Sequence, residues 1–209
     1  MDNFQGPAYR IDTARLSLRC LVPADTLSLS RAIAESLEHL RPWLTWTAHE
    51  PLSFEERLIW VRTQRGHFDL GSDYCYGAFD KRTGSLCGMG LLRLSASSVD
   101  EREVGYWIHA AHLRQGLCTE LVSALVRVGF EVESLDALEI RAFPHNLASA
   151  RVAEKLGFSG PVLDPLSYPM PDGDKHDTLV YALSRVEYAA SAARGLALEA
   201  YDALERRIL

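Results

Sequence analysis

The sequence predicts an α/β domain of the α+β kind, a sheet flanked by helices, with a further helix at its C-terminus. Segments 74–79, 86–94 and 101–109 are strand-like and separated by turn-like breaks, the pattern of an antiparallel meander. The last of them, Glu103-Val-Gly-Tyr-Trp-Ile-His109, runs into Leu113-Arg-Gln-Gly-Leu-Cys-Thr-Glu120 and then an apolar stretch, so strand, tight loop and helix follow one another. Asn146-Leu-Ala-Ser-Ala-Arg-Val-Ala-Glu-Lys-Leu-Gly-Phe158 reads as a short capped helix that ends at glycine.

The elements follow in order. Residues 15–22 alternate polar and apolar, as a half-buried first strand does, and Pro23 stops the pattern. Leu29, Ile33, Leu37 and Leu40 stand at helical spacing over 25–40. After Pro51, Ser53-Phe-Glu-Glu56 has the spacing of a capping box and opens a helix to about Gly66. The meander strands are parted by 80–84 and by Ser95-Ala-Ser-Ser98. A helix over 117–132 buries Leu121, Val122, Leu125, Val126 and Phe130, and feeds a strand over 137–142, a helix over 147–156 and a strand from near Phe158. Residues 160–174, with Pro161, Pro165, Pro169 and Pro171, read as a surface loop of the kind that often lines a site. A last strand is expected over 178–183. The alanine-rich stretch 186–209 is expected to be helical, with an apolar side that packs on the parent domain or on a twin subunit. The division expected is a domain over 1–185 and a helical extension over 186–209.

A length of 209 residues suits one large domain, or one domain with an appendage. No stretch approaches the apolar length of a membrane span, and Met1-Asp-Asn-Phe-Gln-Gly lacks the features of an export signal, so a soluble cytoplasmic protein is expected. The cysteines at 20, 75, 87 and 118 have no paired spacing, which suits reduced thiols rather than zinc or a redox couple. The formal charge is −6 and no basic block interleaves with aromatics, so nucleic acid is a poor partner and a cationic amine or peptide a more natural one.

Where the strand at 101–109 turns into the following helix, exposed main-chain amides make anion-binding architecture. The loop lacks the lysine and hydroxyl pair of a nucleotide P-loop. Gly116 nevertheless lets consecutive amides curve around a pyrophosphate, the helix adds its positive end, and Arg114 offers a mobile charge. An ordinary turn is the plainer reading of that glycine. With the capped helix at 146 facing the reactive end of a phosphorylated carrier, the pair of signals points to acyl-group transfer.

The pairing of Gly-Tyr-Trp-Ile with Arg-Gln-Gly-Leu-Cys-Thr-Glu, and then of Asn-Leu-Ala-Ser with Leu-Gly-Phe, resembles the GCN5-related N-acetyltransferase (GNAT) superfamily, in its ribosomal-protein N-terminal acetyltransferase (RimJ/RimL-like) branch, over 15–185. The resemblance implies a strongly twisted mixed sheet, acetyl-CoA as donor, and a splayed pair of central strands with the pantetheine arm between them. The superfamily's phosphate loop usually opens with arginine or glutamine, where this chain has Leu113. Its fourth position keeps glycine as Gly116, and its sixth, glycine or alanine elsewhere, is Cys118. Cofactor binding is therefore assigned to the amides of Arg114, Gln115, Gly116, Leu117, Cys118 and Thr119. Cys118 is small enough to stand for the alanine there and is read as inert packing; a helix start lowers a thiol pKa, which keeps reactivity as the alternative.

Direct transfer needs a free amine, a polarised thioester carbonyl and a proton source for the leaving thiolate. Glu103 is the candidate for proton removal, directly or through water; attraction of the substrate ammonium or a plain surface role are its alternatives. Strand alternation puts Glu103 with Gly105, Trp107 and His109 on one face, and Val104, Tyr106 and Ile108 on the other. A carboxylate beside an apolar channel has its pKa raised. Asn146 caps the next helix and, by the resemblance, reaches the pantetheine. Ser149 matches a serine proposed as proton donor in the branch, with hydrogen bonding to sulfur the more conservative role. Many relatives place a tyrosine where this chain has Ala153, so Ser149, water, or a tyrosine from elsewhere, such as Tyr168 or Tyr181, must serve. Gly157 ends the helix and Phe158 enters the core. His109, His112 and His145 form no metal-ligand set, and His176-Asp177 either closes the acceptor pocket or makes a structural pair.

The expected reaction is acetyl transfer from acetyl-CoA to a primary amine, the α-amine of a protein or peptide ahead of a small molecule. The resemblance implies that the helical region with Glu38, Glu50, Glu55 and Glu56 borders the acceptor, where they could attract a cation, opposed by Arg41, Arg57 and Trp43. The rival reading is a non-catalytic CoA-binding or protein-interaction module. A homodimer through the C-terminal helix is a further expectation.

Overall fold

The computed structural model describes residues 7–94 and 101–209. The strands are β1 (Arg10–Asp12), β2 (Leu16–Cys20), β3 (Asp73–Asp80), β4 (Leu86–Leu94), β5 (Glu101–Ile108), β6 (Ala137–Ala142), β7 (Ser159–Pro169), β8 (Lys175–Ser184) and β9 (Glu199–Tyr201). Among the described residues they form one sheet, in the order β7-β8-β6-β5-β4-β3-β2-β1-β9. Each neighbouring pair is antiparallel except β5 and β6, which run parallel. The expected meander is present: β3 pairs β4, and β4 pairs β5 from Gly88↔Ile108 to Leu94↔Arg102. The turn expected at 95–98 lies outside the described residues.

The helices are α1 (Thr26–Ala34), α2 (Leu37–Leu40), α3 (Phe54–Asp69), α4 (Leu117–Glu131), α5 (Leu147–Lys155) and α6 (Arg185–Tyr188). They cover both faces of the sheet, and the alternation of each strand decides which side chain meets which layer. Tyr76, Leu92, Val104 and Ile108 share a cluster with Leu121, Val122, Leu125 and Val126 of α4 and with Val152 and Ala153 of α5. Residues of the same strands that alternate to the other face, Cys75, Met89 and Trp107, pack instead with Leu29, Ala32 and Ile33 of α1 and Val61 of α3. Leu121, Val122, Leu125 and Val126 are each 0% exposed, and burial of a side chain of this size is worth about 1.5–3 kcal/mol relative to exposure. The α3 start is built as its spacing predicts: Ser53 Oγ accepts from Glu56 N at 3.2 Å while Glu56 Oε2 accepts from Ser53 N at 2.8 Å, a cap worth about 1 kcal/mol.

Three expectations are corrected. The helix read over 25–40 is broken after Ala34, because Ser36 is buried and its hydroxyl accepts from Ala110 N at 3.1 Å, tying the break to the end of β5. The segment 160–174 is mostly strand, not loop: β7 carries Pro161, Pro165 and Pro169 because it is an outermost strand with shifts of register against β8, where missing amide donors are tolerated. The long C-terminal helix does not form. The chain after Ser184 makes the single turn α6, a 3-10 turn over Ala192–Gly195, and β9, which pairs with β1. Ala193 and Ala200 are 0% exposed and Leu198 is 9% exposed. The alanines therefore serve close packing within the chain rather than helix propensity, and these apolar positions pack on the parent domain, one of the two placements expected.

Candidate active site

The parallel ladder between β5 and β6 ends early. It joins Glu101 to Ala137, Arg102 to Leu138 and Glu103 to Glu139, yet β5 continues to Ile108 and β6 to Ala142. Beyond Glu103 the two strands diverge, and the facing edges of 104–108 and 140–142 do not pair with each other. Such edges offer main-chain donors and acceptors to an extended arm laid between them.

At the open end of this slot, β5 passes through a 3-10 turn at Ala110–His112 into the loop before α4. Gly116 sits at φ +76° as the N-cap of α4, and Arg114 also takes a left-handed φ of +61°. The first helical bond runs from Glu120 N to Gly116 O at 3.1 Å, which leaves the amides of Leu117, Cys118 and Thr119 outside the ladder of α4. Those donors and the helix's positive end make a nest for a phosphorylated group. Arg114, Gln115 and Gly116 are exposed, whereas the Leu117 side chain is buried and anchors the turn. Gln115 Nε2 donates to Ala111 O at 3.0 Å.

A clamp unmarked by the sequence reading holds this loop. Arg15, from the turn between β1 and β2, donates through Nη1 to Gln115 O at 2.7 Å and through Nε to Glu120 Oε2 at 2.6 Å. Glu120 also accepts from Thr13 Oγ1 at 2.6 Å and from Arg15 N at 3.0 Å. Its nearest sequence signal is an acidic side chain in the first turn of α4, just ahead of the apolar run Leu121–Val122.

On the α4 and α5 face, Asn146 Oδ1 accepts from Ser149 N at 3.1 Å and caps α5 as expected. The Ser149 hydroxyl lies 2.8 Å from the phenol oxygen of Tyr106, which stands where β5 is paired with β4 but no longer with β6. Burial pushes the Tyr106 phenol far above its ordinary value of 10.0. Ala153 is fully buried and carries no donor. The two tyrosines named from sequence lie elsewhere: Tyr168 pairs with Thr45 Oγ1 at 3.2 Å, and Tyr181 is buried on β8. At Cys118 desolvation pushes the thiol up to about 12, which suits the inert packing role expected of it rather than the reactive alternative.

Glu103 belongs to the opposite face. Its cross-strand partners are Arg93 on β4 and Glu139 on β6, so its surroundings are charged, not the apolar channel expected. Arg141, two residues along the same edge, donates to Glu139 Oε2 at 3.2 Å and to Asp164 Oδ2 at 2.7 Å. Beyond it, Phe143 helps line a cleft of about 410 Å³ with Arg41, Leu44, Thr45, Thr47 and Met170. Leu44 packs against the α1 layer, which places the cleft on the Glu103 side of the sheet. Met170 and Pro171, at the tip between β7 and β8, line it as well, so the segment first read as a loop does border a site.

Of the acidic residues expected to draw a cation, Glu50 forms a buried ion pair with Arg57 and Glu56 is held in the α3 cap. Glu38 and Glu55 are exposed. His109 is structural: Nδ1 accepts from Ala111 N at 3.0 Å and Nε2 meets Glu35 Oε2 at 3.0 Å. Asp177 accepts from Leu166 N at 2.9 Å while His176 packs on Phe143 at 5.9 Å between ring centroids, so the two do not act as a pair.

The unpaired edges and the amide nest fit an extended carrier with a diphosphate, and comparison with known proteins agrees. Residues 15–159 match the acetyltransferase (GNAT) domain family. A Bacillus subtilis (strain 168) protein described as "Putative ribosomal N-acetyltransferase YdaF" is 30% identical over 180 residues, covering 83% of this chain and 93% of its own. Mycobacterium smegmatis RimJ in complex with CoA-disulfide superposes with a TM-score of 0.77 at 20% identity, over 91% of this chain and 94% of its own. The microcin C7 self-immunity acetyltransferase MccE in complex with acetyl-CoA and AMP shares the fold at a TM-score of 0.73 and 13% identity, over 82% and 93%. The early end of the β5–β6 ladder thus has its explanation, for this chain belongs to the GNAT family and is an acetyltransferase whose donor is acetyl-CoA.

Proposed function

We propose that the chain acetylates the α-amine of a protein or peptide N-terminus, with a small-molecule amine as the second class of acceptor, by direct transfer from acetyl-CoA. The observation that carries the proposal is the slot between β5 and β6, flanked by the amide nest and Ser149 on one face and by Glu103 and the cleft on the other. Acetyl-CoA supplies the activated thioester. The amides at 114–119, with Asn146, hold the carrier. Glu103 takes the proton of the acceptor amine, directly or through one water, and Ser149 hydrogen-bonds to the departing sulfur. The two side chains approach the slot from opposite faces, so removal of the amine proton and support of the sulfur do not compete for one position. A protein acceptor is supported by the name of the Bacillus subtilis relative and by a cleft open enough for a chain end.

In this reading residues 1–185 form the catalytic unit and 186–209 a strap that completes the far edge of the sheet. A cytoplasmic setting is part of this reading and is supported by the description of the Bacillus subtilis relative, "Putative ribosomal N-acetyltransferase YdaF"; among the described residues no helix is long and apolar enough to cross a membrane. The test is incubation of the purified chain with acetyl-CoA and a panel of N-terminal peptides and small amines, following free thiol and product mass. Acetylated peptide with a marked loss in Glu103→Gln is the expected result. CoA binding without turnover across the panel would favour a non-catalytic binding module instead.

A further inference from the structure

We infer that Tyr106 is a positioning residue for acetyl transfer: its phenol fixes the Ser149 hydroxyl in one orientation, with the Ser149 proton turned to the leaving sulfur. The inference rests on the reading of Ser149 given above and adds to it the group that makes a serine effective there. A serine hydroxyl is a rotor with one proton and two lone pairs. The backbone of Ser149 is already fixed, because its amide is bound to Asn146 Oδ1 at 3.1 Å, so the rotor is the freedom that remains. Tyr106 removes it at 2.8 Å. Its ring is partly buried against the α4 and α5 cluster, and burial keeps the phenol protonated, with a proton to give. The phenol reaches both the hydroxyl of Ser149 and, at 3.3 Å, its carbonyl, and either oxygen of the 2.8 Å pair has the geometry to donate; we assign the Tyr106 proton to the hydroxyl as the shorter contact, which leaves the Ser149 proton for another acceptor.

Nothing else near α5 performs this role among the tyrosines considered: Tyr168 is bound to Thr45 and Tyr181 is buried on β8. During transfer the amine nitrogen bonds to the acetyl carbon and its proton passes through Glu103 to solvent. The C–S bond breaks with its electron pair left on sulfur. Ser149 donates a hydrogen bond to that sulfur, which takes its proton from water as it leaves, so neither Ser149 nor Tyr106 changes its proton count.

The test compares wild type, Tyr106→Phe, Ser149→Ala and the double variant by kcat and by KM for acetyl-CoA. Tyr106→Phe is expected to lower kcat about tenfold and to leave KM within about twofold, and the double variant is expected to be no slower than Ser149→Ala alone, since one rotor cannot be lost twice. A wild-type kcat in Tyr106→Phe overturns the inference, as does a double variant slowed by the product of the single factors. Should Tyr106→Phe lose its fold, Ser149→Ala decides: full activity there removes the group that Tyr106 is said to orient. A wild-type chain that binds CoA but acetylates no amine sinks the functional reading itself, and this inference with it, and is distinguishable from a loss confined to the variants.

Discussion

Arg15 and Glu120, far apart in sequence, meet at 2.6 Å and tie the turn between β1 and β2 to the first turn of α4. The same guanidinium holds the carbonyl of Gln115, so the loop that carries the amide nest is braced from behind by another part of the chain. This brace stands where the leading residue of the phosphate loop, Leu113, offers no polar side chain. Desolvation alone would raise the Glu120 carboxyl, yet the bonds from Thr13 and Arg15 outweigh it and hold the group below its ordinary 4.5. A lowered folded value means that the contribution to stability is complete above the unfolded value and is lost as pH falls through the folded one. Arg15→Ala is expected to raise KM for acetyl-CoA about fivefold. The difference in melting temperature between wild type and Glu120→Gln should be largest at neutral pH and close below pH 4.5; a difference that does not change with pH would refute the linkage.

Gly116→Ala separates backbone strain from space. At φ +76° an added Cβ would find Arg15 Nη2 at 3.5 Å, an ordinary contact, so room is not the obstacle. The left-handed conformation is, at about 1–2 kcal/mol. The variant is expected to melt about 2–8 °C lower and to bind CoA more weakly in calorimetry, because relief of the strain would turn the nest amides away. Unchanged CoA affinity would mean that the diphosphate sits elsewhere.

Glu103 and Glu139 are direct neighbours across the last rung of the β5–β6 ladder, so register alone cannot say which removes a proton. Their surroundings can. Glu139 is engaged by Arg141, which also reaches Asp164, so its Oε2 is already held by a guanidinium and must be released before it can meet an amine. Glu103→Gln is therefore expected to lower kcat by about 10²–10⁴, whereas Glu139→Gln lowers it less than about tenfold. Steady-state kinetics with one peptide acceptor, in which the two effects came out reversed, would move the base to β6.

The central part of this fold was legible because local chemistry and long-range packing agree there. The meander, the strand before α4, the Ser53 capping box and the Asn146 cap all follow from patterns that span a few residues. The misread segments are those in which tertiary position overrides composition. Pro161, Pro165 and Pro169 signal a loop, but an outermost strand needs no amide on its free edge. Ala193 and Ala200 signal a helix, but they are selected by close approach to the core. The site shows the same division. Gly116, Asn146 and Ser149 stand in contiguous motifs, while Tyr106 and Arg15 act on residues distant in sequence, and no spacing rule reports such contacts. Glu50 illustrates the converse, since a glutamate that looks available in sequence is bound to Arg57 in the structure.

The strap after residue 185 is expected to be required for stability rather than for assembly. Its removal uncovers the edge of β1, withdraws Tyr188 from the Phe130 ring on which it stacks at 4.5 Å, and exposes the partners of Ala193, Leu198 and Ala200. Each large apolar side chain lost is worth about 1.5–3 kcal/mol. A chain ending at Arg185 should melt about 10 °C lower or more, or precipitate. A truncated chain of unchanged melting temperature, measured by calorimetry, would contradict the packing described.

Cys118 opens α4 beside the amide nest, and two effects oppose each other there. The helix start favours thiolate, but desolvation dominates and pushes the thiol up to about 12. At pH 8 the thiolate fraction of such a group is about 10⁻⁴, some three orders of magnitude below that of an ordinary cysteine. Alkylation by iodoacetamide, followed at each cysteine by peptide mass spectrometry, is expected to be correspondingly slow at Cys118, and Cys118→Ser should retain acetyl transfer. Fast modification at pH 8 together with an inactive serine variant would restore the reactive reading of this position, and would replace direct transfer by passage of the acetyl group through the cysteine.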